Sequence, residues 1–196
     1  MARSFTRAEP DARRQSLIEA AATVLAERGA AGASVRTICA TAGVSPGLLR
    51  HYFDGIDALI AETYRWVDAR VAQALDEAVA DSGLMPRARL VAYVNASFRS
   101  PIADPALLAT WIAFWSLAKS NPAMQALHGE IYANYRAGLE PLLIGCGMPR
   151  REVRLAAIGL TALVDGLWLE LCLAPDVFTA EEAGEIAERW ISALLG

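Results

Sequence analysis

The chain has 196 residues, 55% of them hydrophobic and 20% charged; this is apolar material for a sizeable core, which excludes global disorder and suits one ordinary domain or a small head on a larger body. The longest uncharged run, residues 105–118, is shorter than the roughly 20 residues that cross a bilayer, so no membrane contact is read. The net charge of −4 is uneven: residues 1–50 carry seven arginines against four acidic residues, residues 51–196 eleven basic against eighteen acidic, which turns the first part alone toward a polyanion.

Apolar residues recur every three to four positions and no period-two run competes, so the predicted fold class is all-α. Asp11 opens a first helix with Ile18, Ala21, Ala22 and Leu25 on one face, and the glycine-rich residues 29–32 end it. Ser34 caps a short second helix over residues 35–41. Gly43 supplies the backbone freedom of a four-residue turn, 42–45. Ser45 and Pro46 then start a third helix that runs to about His51, with a side-chain acceptor at the cap and no N–H to lose at the first helical position. Three short helices with a tight turn between the last two form the pattern of a helix-turn-helix, whose last helix reads DNA. Ile38, Val44 and Leu48 close a small core. Pro46, Gly47, Leu49 and Arg50 are the expected exposed positions of the reading helix, with Arg50 as the long donor that reaches a base edge or a phosphate. A plain helical hairpin needs the same turn and cap, and this stretch alone leaves it open.

From Gly55 a helix keeps Leu59, Ile60, Thr63, Val67, Val71, Ala74 and Ala78 on one face for about six turns, long enough to act as a lever. A break at 83–86 separates it from a helix with Leu90, Tyr93, Val94 and Phe98, which residues 101–105 end. Asp104 with Pro105 starts "ALLATWIAFWSLA", and Asn121 with Pro122 opens a helix through Leu127, Ile131 and Tyr135 to Leu142. Residues 153–173, "VRLAAIGLTALVDGLWLELCL", are apolar around most of the helix circumference, so a second surface has to cover them. Gly159, Ala162 and Gly166 share one face beside Leu163; Pro175 ends this helix, and a final one with Ile186, Trp190, Ile191 and Leu194 packs alongside. With a symmetric copy these two helices make a four-helix homodimer interface, the alternative being a core helix inside one subunit.

Trp111, Phe114 and Trp115 fall on adjacent positions of one helix face, Tyr93 and Trp168 are placed to close over them, and Trp66 is counted with the group. Aromatic faces hold a desolvated quaternary ammonium with about 0.5–2 kcal/mol per ring, and Asp165 would add charge. These residues are a candidate cage for a quaternary ammonium or a similar cation, though tryptophans at helical spacing are more commonly plain core, and Asp165 needs a partner in either case. His51 and His128 are the two histidines, and no Gly-rich phosphate loop, Gly-x-Ser-x-Gly or metal-spaced cluster appears. Cys39, Cys146 and Cys172 lie scattered in apolar patterns, and no apolar export segment opens the chain. The expectation is a cytoplasmic protein with reduced cysteines, no catalytic site, no metal and no cofactor.

"SVRTICATAGVSPGLLRHYFDGIDAL", residues 34–59, resembles the DNA-binding signature of the TetR family of bacterial transcriptional repressors, and the order of head, long helix and helical body is similar to that family throughout. "ATWIAFW", residues 109–115, and "ALVDGLWLE", residues 162–170, are similar to segments of the BetI-like, choline-responsive repressors within it. The resemblance implies a homodimer on double-stranded, palindromic operator DNA, a DNA-binding head at residues 1–54, and a ligand-binding and dimerisation body at 55–196 whose small-molecule effector controls DNA binding. Position by position it implies phosphate contacts at Ser34 and Tyr52, DNA contacts at Arg36, Pro46, Leu48 and Arg50 with Ser45 and Gly47 beside them, and a helix-end or phosphate contact at His51. One position departs. The family's lysine three residues beyond His-Tyr-Phe is Ile56 here, which should flatten the salt dependence of binding by about one counterion. A regulator of an efflux or catabolic operon with a hydrophobic effector is the alternative within the family, and a helical interaction module without DNA is the alternative outside it.

Overall fold

The computed structural model describes residues 8–81 and 83–196, the first three of these by backbone alone. The described residues form nine α-helices and no strand: α1 (Ala8–Gly32), α2 (Val35–Ala42), α3 (Pro46–Tyr52), α4 (Gly55–Ala78), α5 (Pro86–Ala96), α6 (Pro105–Ser120), α7 (Pro122–Gly145), α8 (Arg150–Leu173) and α9 (Ala180–Leu195). The all-α class and the helix order are as expected. α1 begins before the predicted Asp11, because the first N–H groups of a helix have no acceptor within it and Pro10 in that turn costs nothing. It breaks at Gly29, whose φ of 64° and ψ of −174° are not helical.

The turn residues act as their chemistry requires. The Ser34 hydroxyl accepts from the Thr37 N–H at 3.1 Å while the Thr37 hydroxyl accepts from the Ser34 N–H at 2.9 Å, a reciprocal box that satisfies two orphan donors. Gly43 closes α2 at φ 66°, in the left-handed region, and Ser45 caps α3. Asp104 caps α6 through the N–H groups of Ala106 and Leu107, Asn121 caps α7, and Thr179 with Glu182 boxes α9.

The head core joins Leu17, Ile18, Ala21 and Val24 of α1 to Ile38, Leu49, Phe53 and Leu59. One reading is corrected here: Leu49, expected on the exposed face of α3, is fully buried, and Leu48, expected in the core, is half-buried. On a helix of seven residues a single position of phase decides which leucine faces α1, and the Ser45 cap with Pro46 next to it fixes that phase. Phe53 and Asp54 alone separate α3 from α4, and Phe53 donates its N–H back to the Leu49 carbonyl at 2.9 Å. Arg14 of α1 reaches Glu62 of α4 at 3.0 Å with its guanidinium over the Phe53 ring, so the start of α4 is held against the head.

The body packs α4 to α9 around a second core in which α7 lies against α4, α5, α6 and α8. Head and body share α1: it lies along α6, its Leu25 belongs to the body core, and the Thr110 hydroxyl reaches the Ala22 carbonyl at 3.4 Å. α8 is the one described helix long and apolar enough to cross a bilayer by length and composition, with a mean hydropathy of 1.7; here it packs against α6, α7 and α9.

Candidate nucleic-acid interface and effector cavity

At the tip of the head, Arg36 on α2 and Ser45, Pro46, Gly47, Arg50 and His51 around α3 are exposed, Leu48 and Tyr52 are half-buried, and neither arginine joins an ion pair among the described residues. The Ser34 hydroxyl stands at the N-terminus of α2, committed to its capping box. Tyr52 lies edge-on to His51 at 4.9 Å. The reading helix thus presents a short, small-residue surface around one free guanidinium, a donor suited to the paired acceptors of a guanine edge or to phosphate.

In the body a cavity of about 40 Å³ opens between α4, α6, α7 and α8. Its aromatic walls are Trp111, Trp168, Tyr132 and Tyr135, with Trp111 and Trp168 edge to face at 5.6 Å. Its charged lining residues are two carboxylates, Asp68 of α4 and Asp165 of α8, and no arginine, lysine or histidine joins them. Tyr132 is the hub of the wall. Its hydroxyl accepts the indole N–H groups of Trp111 at 3.1 Å and Trp115 at 2.8 Å, and donates to Asp165 Oδ1 at 3.0 Å. Trp168 donates instead to the Ser97 carbonyl at 2.8 Å. Burial pushes Asp165 up to about 6, against the opposing pull of the Tyr132 hydrogen bond and Arg136. Asp68 also rises to about 6, through burial and then the repulsion of Glu130.

Of the residues proposed from sequence for a ligand, Trp111, Asp165 and Trp168 line this cavity. Phe114 does not: it is fully buried and stacked on Tyr64 at 4.1 Å. Trp115 buttresses Tyr132, and Tyr93 spends its hydroxyl on the Tyr135 carbonyl at 3.4 Å, lying over the missing side chain of Gly138. Trp66 lies in a separate crevice between α1, α4 and α6 under the Arg70 guanidinium, 4.9 Å from its ring. Residues spaced by three and four on a helix share a face, yet that arc of about 100° is wider than one small cavity. Sequence reasoning missed Asp68, Ser97, Tyr132 and Tyr135. The available signals were a carboxylate inside the buried stripe Tyr64, Val67, Val71, Leu75 and a tyrosine pair three apart in "IYANY".

A third feature is the outer face of α8 and α9. Leu155, Ile158, Ile186 and Trp190 are large apolar side chains left exposed, by 66%, 39%, 41% and 36%, in company with Ala162 and Gly166, while Leu163 and Leu194 are half-buried. Gly159 is used inside the protomer, where a Cβ would come within 3.0 Å of the Trp190 ring.

The fold and its head define a helix-turn-helix DNA-binding regulator. Comparison with known proteins agrees: residues 17–63 match the family of bacterial regulatory proteins named tetR, and residues 86–196 match the C-terminal part of the BetI-type transcriptional repressors. The regulator BetI 2 of Chromohalobacter salexigens is 36% identical across 93% of this chain and 88% of its own length, and BetI of Yersinia pestis is 34% identical across 93% and 92%. A transcriptional regulator from Pseudomonas aeruginosa PAO1 shares the structure with a TM-score of 0.86 and 43% identity, over 98% of this chain and 95% of that one. A regulator from Saccharomonospora viridis solved with choline has a TM-score of 0.76 at 19% identity over 93% and 96% of the two chains, and shows the fold alone. The chain belongs to the TetR family of bacterial transcriptional regulators and carries the BetI-type C-terminal part. Members of this family bind operator DNA as dimers under the control of small-molecule effectors, and they are not enzymes.

Proposed function

We propose that this protein is a cytoplasmic, dimeric repressor released from its operator by a small organic cation of the quaternary ammonium type, choline or a close relative. Residues 1–54 are the DNA-binding unit and residues 55–196 the effector and dimer unit. The carrying observation is the cavity lined by Trp111, Trp168, Tyr132 and Tyr135: aromatic walls, two carboxylates and no basic lining residue suit a cation and disfavour an anion. At about 40 Å³ the cavity has room for about one water, so its walls have to shift to admit even a compact headgroup, and far more for a long acyl chain. The choline held by the Saccharomonospora viridis regulator supports the same class. In the head, Arg36 and Arg50 supply the donors, with Ser34, Ser45, Pro46, Gly47, Leu48, His51 and Tyr52 setting the contact surface.

Dimer formation through the exposed faces of α8 and α9 sets the separation of two reading helices, about 34–36 Å or one duplex turn. A coupling of about 1–3 kcal/mol between cavity and head changes operator occupancy about 5–150-fold, so a small tilt of α4 suffices. The test is a thermal-shift panel of choline, betaine aldehyde, glycine betaine and neutral compounds, followed by gel shift on the DNA upstream of its own gene at low and high salt. Stabilisation by the cations with loss of the shifted band is the expected result. Stabilisation by neutral or anionic compounds alone contradicts the cation site.

A further inference from the structure

Resting on that reading, we propose that Asp68 is the residue through which an occupied cavity acts on the head: a cation seated against the aromatic walls beside Asp165 offers a hydroxyl or ammonium donor at its other end to Asp68, and so engages α4 directly. The effector class is thereby narrowed to cations with a second donor.

Two carboxylates line one cavity from two helices, and they are not equivalent. Asp165 is on α8 and already holds a donor, the Tyr132 hydroxyl at 3.0 Å. Asp68 has neither a hydrogen-bond donor nor an ion-pair partner among the described residues, although burial and the repulsion of Glu130 on α7 both disfavour its charge. Asp68 in turn raises two phenols that face it, Tyr64 of its own helix and Tyr93 of α5. Arg136 of α7 acts on Asp165 and on His128. A half-buried carboxylate that lines a cavity and accepts from no protein group is open to a donor on a ligand. Asp68 is also the charged lining residue on α4, and α4 follows the reading helix across a link of two residues, tied to the head by Arg14 and Glu62. A ligand that grips only the rings and Asp165 stays on α6, α7 and α8. One that also donates to Asp68 pulls on the helix that carries the head.

The experiment compares three probes: choline, a quaternary ammonium with a hydroxyl at its other end; putrescine, with a primary ammonium at each end; and tetramethylammonium, with no hydroxyl or N–H donor. Binding is measured by calorimetry. DNA release is measured by fluorescence anisotropy, at saturating probe, on the duplex that the wild-type protein selects from a random-sequence library. With the wild type, choline or putrescine should lower DNA affinity by at least about fivefold, and tetramethylammonium, though bound, by less than about twofold. Asp68→Asn should still bind the active cation but release DNA by less than about twofold, and Asp68→Glu should restore release, with thermal unfolding to confirm that both variants fold. Asp165→Asn should lose binding itself. Release of DNA by saturating tetramethylammonium as strong as that by choline, or undiminished release in Asp68→Asn, overturns the role of Asp68 while leaving the cation site standing. Failure of all three probes to bind the wild type overturns both.

Discussion

At the scale of single residues the body of this repressor turns on one hydroxyl. Tyr132 takes two indole donors and donates its own hydroxyl hydrogen to Asp165, so one group satisfies both indoles and an oxygen of the carboxylate at once. Tyr132→Phe leaves two indole N–H groups and a carboxylate without their partner, and should cost about 1–3 kcal/mol per group left buried and unpaired, read from urea unfolding. Asp68 and Asp165 each keep a proton to about 6 in the folded state against an ordinary value of 3.8. Between those values the folded chain binds more protons than the unfolded one, so stability falls as pH rises through that window and levels off above it. Thermal melts from pH 4 to 7 should show this slope, and Asp68→Asn with Asp165→Asn together should reduce it. Binding of a cation runs the other way, strengthening as pH rises through about 6. In the head, Arg50→Ala should weaken operator binding by about 1–3 kcal/mol if it reads a base. Ile56→Lys, which adds a cation able to reach a phosphate just after the reading helix, should steepen the dependence of log affinity on log salt by about one.

The elements are set by their ends. Ser34, Asp104, Asn121 and Thr179 each accept from the first orphan N–H groups through a side-chain oxygen, and each lies at the start of a helix. Gly43 has to hold φ at 66°, which a Cβ disfavours, and the turn it makes fixes the angle between α2 and the reading helix. Gly43→Ala should therefore cost about 1 kcal/mol or more in chemical denaturation and weaken DNA binding further than its stability loss explains. These local rules leave phase undecided on short helices. Leu48 and Leu49 are identical in chemistry, and only the cap geometry of a seven-residue helix puts Leu49 in the core.

At the scale of the whole molecule the outer face of α8 and α9 is the large apolar surface that the protomer leaves open, and a symmetric partner is the proposed cover. Ile158→Glu changes a side chain 39% exposed in the protomer, so the fold should survive while the dimer weakens. Sedimentation velocity should show a shift toward the protomer mass, and operator affinity should fall with it, because two heads bind better joined than apart.

The all-α class, the helix order, the turn glycine, most caps and the membership of the family were legible in the linear chain, because each depends on residues within a few positions of one another. Pro46 after Ser45 or Asn121 before Pro122 act on their own backbone wherever the helix later goes. Which aromatics share a cavity was not legible in this way. Trp111, Tyr132, Asp165 and Asp68 come from four helices, and their meeting depends on how those helices cross, so Phe114 and Trp66, equally plausible by spacing, end against Tyr64 and beneath Arg70 instead. Tertiary packing alone decided the cavity, since the burial of a side chain and its hydrogen-bond partner are properties of what arrives from elsewhere in the chain.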